Sequence, residues 1–136
     1  MNKKYVIGVD GGNTKTDYLL YDTFGNYIDG IRSGTCSHEG LKDGFEGSYR
    51  VMKENIDNLL SRNNLSIEDV ATGAFGLAGV DCPYQQKKLI EVVERIGFKK
   101  HQDLKKNYFK TISIISWRCE ICVLCYRTGQ SIVIFV

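Results

Sequence analysis

Tyr5-Val6-Ile7-Gly8-Val9-Asp10-Gly11-Gly12-Asn13-Thr14-Lys15-Thr16-Asp17-Tyr18-Leu19-Leu20-Tyr21-Asp22 is the stretch on which the fold turns. An apolar, β-branched run ends in a carboxylate, crosses two glycines and an Asn-Thr-Lys-Thr tip, and re-enters an apolar run, the pattern of strand, tight loop and strand. Gly11 and Gly12 are expected to take positive φ and bring backbone N–H groups close to a ligand. Thr14 and Thr16 offer hydroxyls, Asn13 an amide and Lys15 a mobile point charge, a set that suits a phosphate chain. Asp10, closing the first strand, stands where it could hold Mg²⁺ through water, because that hard ion prefers carboxylate oxygen and keeps much of its hydration. The plainer alternative is a β-turn carrying a surface lysine.

Working outward, Thr23-Phe24-Gly25-Asn26 is a turn signal, and Tyr27-Ile28-Asp29-Gly30-Ile31-Arg32 reads as a third strand, so an antiparallel meander is expected. Beyond the polar loop from Ser33 to Gly40, apolar residues at Leu41, Phe45, Tyr49, Met52, Ile56, Leu59 and Leu60 recur at helical spacing. Ser66-Ile67-Glu68-Asp69 reads as a capped short turn. The small apolar run from Val70 to Gly79 lacks helical period and fits a buried parallel strand. Pro83 then opens a helix whose inward stripe is Leu89, Ile90, Val92, Val93 and Ile96, and Gly97 closes it. The sum is an α/β layer arrangement.

At 136 residues the chain has the size of one domain. A net charge of +2 with both signs interspersed gives no reason to expect nucleic acid or an acidic membrane as partner. No apolar run approaches bilayer length, and five cysteines, an odd number with three crowded between Cys119 and Cys125, fit a reducing compartment. A cytoplasmic location is expected.

The run from Val9 to Leu20 resembles the first phosphate loop of the sugar kinase, heat-shock protein 70 and actin superfamily, and within it the BadF/BadG/BcrA/BcrD ATPase family, which includes N-acetylglucosamine kinases. The likeness covers residues 1–98. It implies an N-terminal ribonuclease H-like (actin-like ATPase) domain over 1–100: a three-strand antiparallel meander extended by parallel strands, with helices packed on the sheet. It implies ATP and Mg²⁺ as cofactors, with Asp10 to Thr16 as the phosphate loop and Asp10 toward the metal. Thr35-Cys36-Ser37-His38 is similar to the family's Ser/Thr-Asn-His sugar loop, with Ser37 where an Asn is expected, so Thr35, Ser37 and His38 become candidate substrate ligands. Their plainer reading is a solvated polar loop. Leu77-Ala78-Gly79-Val80-Asp81 looks like the family's Leu-Ser/Ala-Gly-Gly-Asp segment and adds Gly79 and Asp81 to the candidates. The alternative for Asp81 is a cap on the helix that begins near Pro83.

The resemblance stops where the family's catalytic carboxylate and second phosphate loop belong. Asp103 is the only acid between His101 and Lys110, and it reads as a solvated surface residue. Residues 101–136 read as an aberrant or truncated C-terminal segment with the second domain absent, the stretch from about 101 to 127 being translated in a shifted reading frame or otherwise altered. Cys119, Cys122 and Cys125 lack the fourth ligand of an iron–sulfur run. The expected function is therefore the N-terminal half of an ATP-dependent sugar kinase acting on an N-acetylhexosamine such as N-acetylglucosamine, inactive in isolation. The alternatives are an ATPase that activates a radical dehydratase and a non-enzymatic remnant. The face left for a second domain, with the apolar stretch 132–136, predicts a homo-oligomer.

Overall fold

The computed structural model describes residues 4–98 and the backbone of 131–135. Strand β1 (Tyr5–Gly11) turns into β2 (Lys15–Asp22) and then β3 (Tyr27–Gly34). Helix α1 (Gly44–Arg62) follows, then a single 3-10 turn (Ile67–Asp69), β4 (Val70–Ala78), α2 (Pro83–Ile96) and β5 (Ser131–Phe135). The strands form one sheet in the order β3-β2-β1-β4-β5. β1, β2 and β3 are antiparallel neighbours, and β4 runs parallel to β1. β5 runs antiparallel to β4, which corrects the expectation that the meander is extended by parallel strands alone.

The side-chain period of two divides the sheet into distinct faces. Ile7 and Val9 of β1, Tyr18 and Leu20 of β2, and Phe75 and Leu77 of β4 join one buried cluster with Met52, Ile56 and Leu59 of α1 and Leu89, Val92, Val93 and Ile96 of α2. Both helices thus cover the same face. Cross-strand partners Asp10, Asp17 and Gly76 lie on the opposite face.

α1 begins at Gly44, so Leu41 lies before it in a turn whose carbonyl accepts from the Gly44 N–H. Gly44 has φ +56°, a conformation that glycine adopts without steric cost and that lets the chain swing from the loop into the helix. At the far end of α1, Arg62 forms a fork on Asp29 of β3, with the Arg62 Nε donating at 2.8 Å, and Asn63 Nδ2 donates to the same carboxylate at 2.8 Å. These bonds hold the Asp29 carboxyl far below its ordinary range. α2 ends at Gly97, whose φ of +126° turns the chain so that Phe98 packs edge-on against Phe75, ring centres 5.0 Å apart. Gly73 leaves room for that ring, since a Cβ there would lie 2.7 Å from Phe98 Cε1.

Among the described residues no helix is long and apolar enough to cross a membrane. Asp103, the cysteines from Cys119 to Cys125 and the proposed frame-shifted stretch lie outside the described residues.

Candidate functional site

The turn between β1 and β2 spans residues 12–14 and is closed by the Gly12 N–H donating to the Lys15 carbonyl at 2.9 Å. Asn13, Thr14 and Lys15 are exposed there, so their side chains are what the tip offers a ligand. Gly11 and Gly12 are not among the positive-φ glycines, which are Gly25, Gly44, Gly79 and Gly97. The expected reason for Gly11 is thereby corrected: a Cβ at that position would lie 2.7 Å from Cys36 Sγ and 2.9 Å from Leu77 Cδ2. Gly11 is a packing requirement.

Thr16 is also corrected. It shares strand parity with Tyr18 and Leu20, it is fully buried, and its hydroxyl lies in the core, where no partner among the described residues meets it in hydrogen-bonding geometry. A phosphate at the tip could not reach it. Nearby, burial pushes the Cys36 thiol and the Tyr18 phenol above their ordinary pKa values, so both stay protonated at neutral pH.

Asp10 is half-buried at the end of β1. It pairs across the sheet with Asp17 of β2, and Asp17 pairs in turn with Arg32 of β3, so two carboxylates and a guanidinium form a row. Arg32 binds Asp17 with both nitrogens, at 2.6 and 2.9 Å. Those bonds lower the Asp17 pKa and raise that of Arg32, which leaves the row with the net charge of a single carboxylate. Among the described residues no group of three or more His, Cys, Asp or Glu could hold a metal ion. The described residues thus offer no all-protein cage, and Asp10 with the exposed tip residues would suit only an ion that keeps most of its water.

The loop after β3 comes to the same end of the sheet. Thr35 Oγ1 donates to the Gly12 carbonyl at 3.1 Å and accepts from the Ser37 N–H at 3.0 Å, so this hydroxyl ties the second loop to the first. Ser48, fully buried on α1, donates to the Cys36 carbonyl at 2.8 Å and holds the loop from beneath. Ser37 is 6% exposed, and among the described residues its Oγ has no hydrogen-bond partner. The His38 ring stacks on Phe45 with centres 4.2 Å apart and planes 14° from parallel, and both ring nitrogens are sequestered without a partner among the described residues. Phe45 meets Tyr84 of α2 edge-on at 6.3 Å, which joins this loop to the one after β4.

Gly79 stands at φ +82°, and a Cβ there would lie 3.1 Å from Glu39 Oε2 and 3.2 Å from Ser37 Oγ. A carboxylate and a hydroxyl of the loop after β3 thus crowd the place that a side chain would take. Glu39 was not singled out by the sequence pattern, because an exposed acid in a polar loop carries no signal of its own. Asp81 is exposed, and its carboxylate takes no part in capping α2. Gln85 Oε1 instead accepts from the N–H groups of Asp81 at 2.7 Å and Cys82 at 3.2 Å. The structure therefore brings Thr35, Ser37, His38 and Gly79 together, adds Glu39, and leaves the Asp81 carboxylate available to solvent.

Neither a protein-family model nor a curated protein matches this sequence at a significant level.

Proposed function

We propose that the chain is the N-terminal, ribonuclease H-like half of a cytoplasmic ATP-dependent sugar kinase that transfers the γ-phosphoryl group to an N-acetylhexosamine such as N-acetylglucosamine. The observation that carries this reading is the hydrogen bond from Thr35 Oγ1 to the Gly12 carbonyl, because it joins a tip bearing a cation and polar side chains to a loop with unsatisfied buried polar atoms. A phosphate chain and a polyhydroxylated acceptor require those two environments side by side.

In this reading Asn13, Thr14 and Lys15 bind phosphate oxygens, and Asp10 holds the hydration shell of Mg²⁺. Bound Mg-ATP supplies the transferable phosphoryl group and the divalent charge that offsets its oxygens. Ser37 and His38 hydrogen-bond the sugar, and the α1–α2 layer beneath holds them in place. Asp10 sits beside a neutralised Asp17, so it can face a cation without a second full negative charge opposing the phosphates.

Nuclear magnetic resonance titration of the isotopically labelled chain tests this. Mg-ATP is expected to move the amide resonances of residues 12–15, and N-acetylglucosamine those of residues 35–40 and Gly79. Saturation is expected only at high ligand concentration, and no sugar phosphorylation is expected of the chain alone. Shifts confined to other regions, or none for either ligand, overturn the assignment.

A further inference from the structure

We propose that Arg62 and Asp29 form a guard on the free edge of β3, one that keeps this strand from pairing with β3 of a second copy of the chain. The guard lies apart from the candidate site and uses none of its ligand-binding residues.

β3 is the outermost strand on the side of the sheet away from β5. In an antiparallel ladder, directly opposed residues alternate between pairs that exchange hydrogen bonds and pairs that do not. The Asp22 N–H donates to the Asn26 carbonyl at 3.0 Å, which starts the β2–β3 ladder with a bonded pair. Counting along β2, the next bonded pairs are Leu20 with Asp29, Tyr18 with Ile31 and Thr16 with Ser33, so Gly30, Arg32 and Gly34 direct their N–H and C=O groups outward. An outward row of that kind is a template for another strand.

At Gly30 the row is closed from within. Its N–H donates to Asp29 Oδ1 at 2.8 Å, and its carbonyl accepts from Arg62 Nη2 at 2.9 Å. Arg62 Nε and Asn63 Nδ2 each donate to Asp29 Oδ2 at 2.8 Å, so the C-terminal end of α1 fixes that carboxylate beside the edge. The ladder also skips Ile28, because Leu20 is opposite Asp29 while Tyr21 is opposite Tyr27, and a bulge of this kind blunts an edge further.

A second copy is the partner because the rest of the edge complements itself. A two-fold antiparallel pairing must oppose outward residues to outward residues, and centring it on Ile31 sets Gly30 against Arg32 and Ile28 against Gly34 of the second copy. Each glycine then faces a longer side chain, Ile31 meets its own counterpart, and no like charges stand opposed. Centring on Arg32 would instead bring two guanidiniums face to face. Phe24, Tyr27 and Ile28, all exposed, add apolar surface at the start of the strand. Pairing centred on Ile31 needs the N–H and C=O of Gly30, the two groups that Asp29 and Arg62 occupy.

The test compares the full wild-type chain with Arg62→Ala and Asp29→Asn by sedimentation velocity over a range of concentrations and by hydrogen exchange at the amides of residues 32 and 34. Thermal unfolding checks that each variant is folded, and Arg62→Gln, which keeps the aliphatic stem and loses the charge, replaces Arg62→Ala if that variant is not. Wild type is expected to exchange both amides quickly. Arg62→Ala is expected to self-associate about tenfold more tightly than wild type, the factor that follows when one charge-assisted bond no longer competes with pairing, and to slow exchange at Arg32 and Gly34. Adding Ile28→Lys to it is expected to undo both changes, because a lysine on an edge strand resists pairing. Folded variants that associate no more than wild type, association without slowed exchange at these two amides, or a wild type already protected there would each overturn the proposal.

Discussion

The hairpin tip and the Gly79 turn both look, in sequence, like glycine-lined cradles, and their glycines answer different demands. At the tip, Gly11 is pressed between Cys36 and Leu77, Thr16 is turned into the core, and the Gly12 N–H is spent on closing the turn. At Gly79 the backbone takes a left-handed conformation, and beside it stand a buried hydroxyl and an imidazole whose polar atoms have no partner among the described residues. The first glycine is required by its neighbours alone, the second by its backbone conformation as well. A glycine in a loop is therefore informative only together with what its absent side chain would have touched.

The contrast is open to direct attack. Gly11→Val is expected to have the largest effect, a loss of about 3 kcal/mol in unfolding free energy, at the upper end of overpacking costs, because the added atoms meet Sγ and Cδ2 in a closed interior. Urea denaturation measures it. A loss below about 1 kcal/mol, the cost of a well-tolerated volume change, would show that the tip has slack and that its glycines serve a ligand after all.

Ser48→Ala comes next. It removes the buried donor to the Cys36 carbonyl and is expected to cost about 1–2 kcal/mol, the penalty for an acceptor left without its partner. If the loop after β3 is held from beneath as described, this variant also broadens the amide resonances of Ser37 and His38 while leaving Asn13 and Thr14 unchanged.

The smallest effect concerns acid. The Asp17 pKa is lowered from an ordinary value of 3.8, chiefly by hydrogen bonds from Arg32, so the pair contributes stability above that value and loses it as pH falls through the depressed one. Arg32→Ala is expected to lower stability only slightly at neutral pH, as befits a guanidinium 63% exposed to solvent. Its difference from wild type should vanish on acidification below the Asp17 range, and urea titrations at stepped pH would follow the convergence. A difference that persists at the lowest pH would assign the effect to packing.

Much of the architecture was legible because each element carries its own period. The alternation in β1 and β2, the spacing from Phe45 to Leu60, and Pro83 with Gly97 at the two ends of α2 all mark local structure that tertiary contacts reinforce. The direction of β5 was not legible, since an apolar five-residue strand pairs equally well either way. The burial of Thr16 is written in its parity with Tyr18 and Leu20. That of Gly11 is not, because the atoms that forbid a side chain there belong to Cys36 and Leu77, remote in sequence. Residue preference favours Asp81 as a cap, whereas the longer side chain of Gln85 reaches back and takes that role. Glu39 became visible only when the chain reversal at Gly79 brought two loops face to face.

One proton, on Thr35 Oγ1, bridges turns 23 residues apart in the chain. Any displacement of the first turn is transmitted mechanically to the second, and the reverse holds with equal strength, since linkage between two positions has no preferred direction. The pair then behaves as two coupled arms, and Thr35→Val would part them while also releasing the Ser37 N–H from its acceptor.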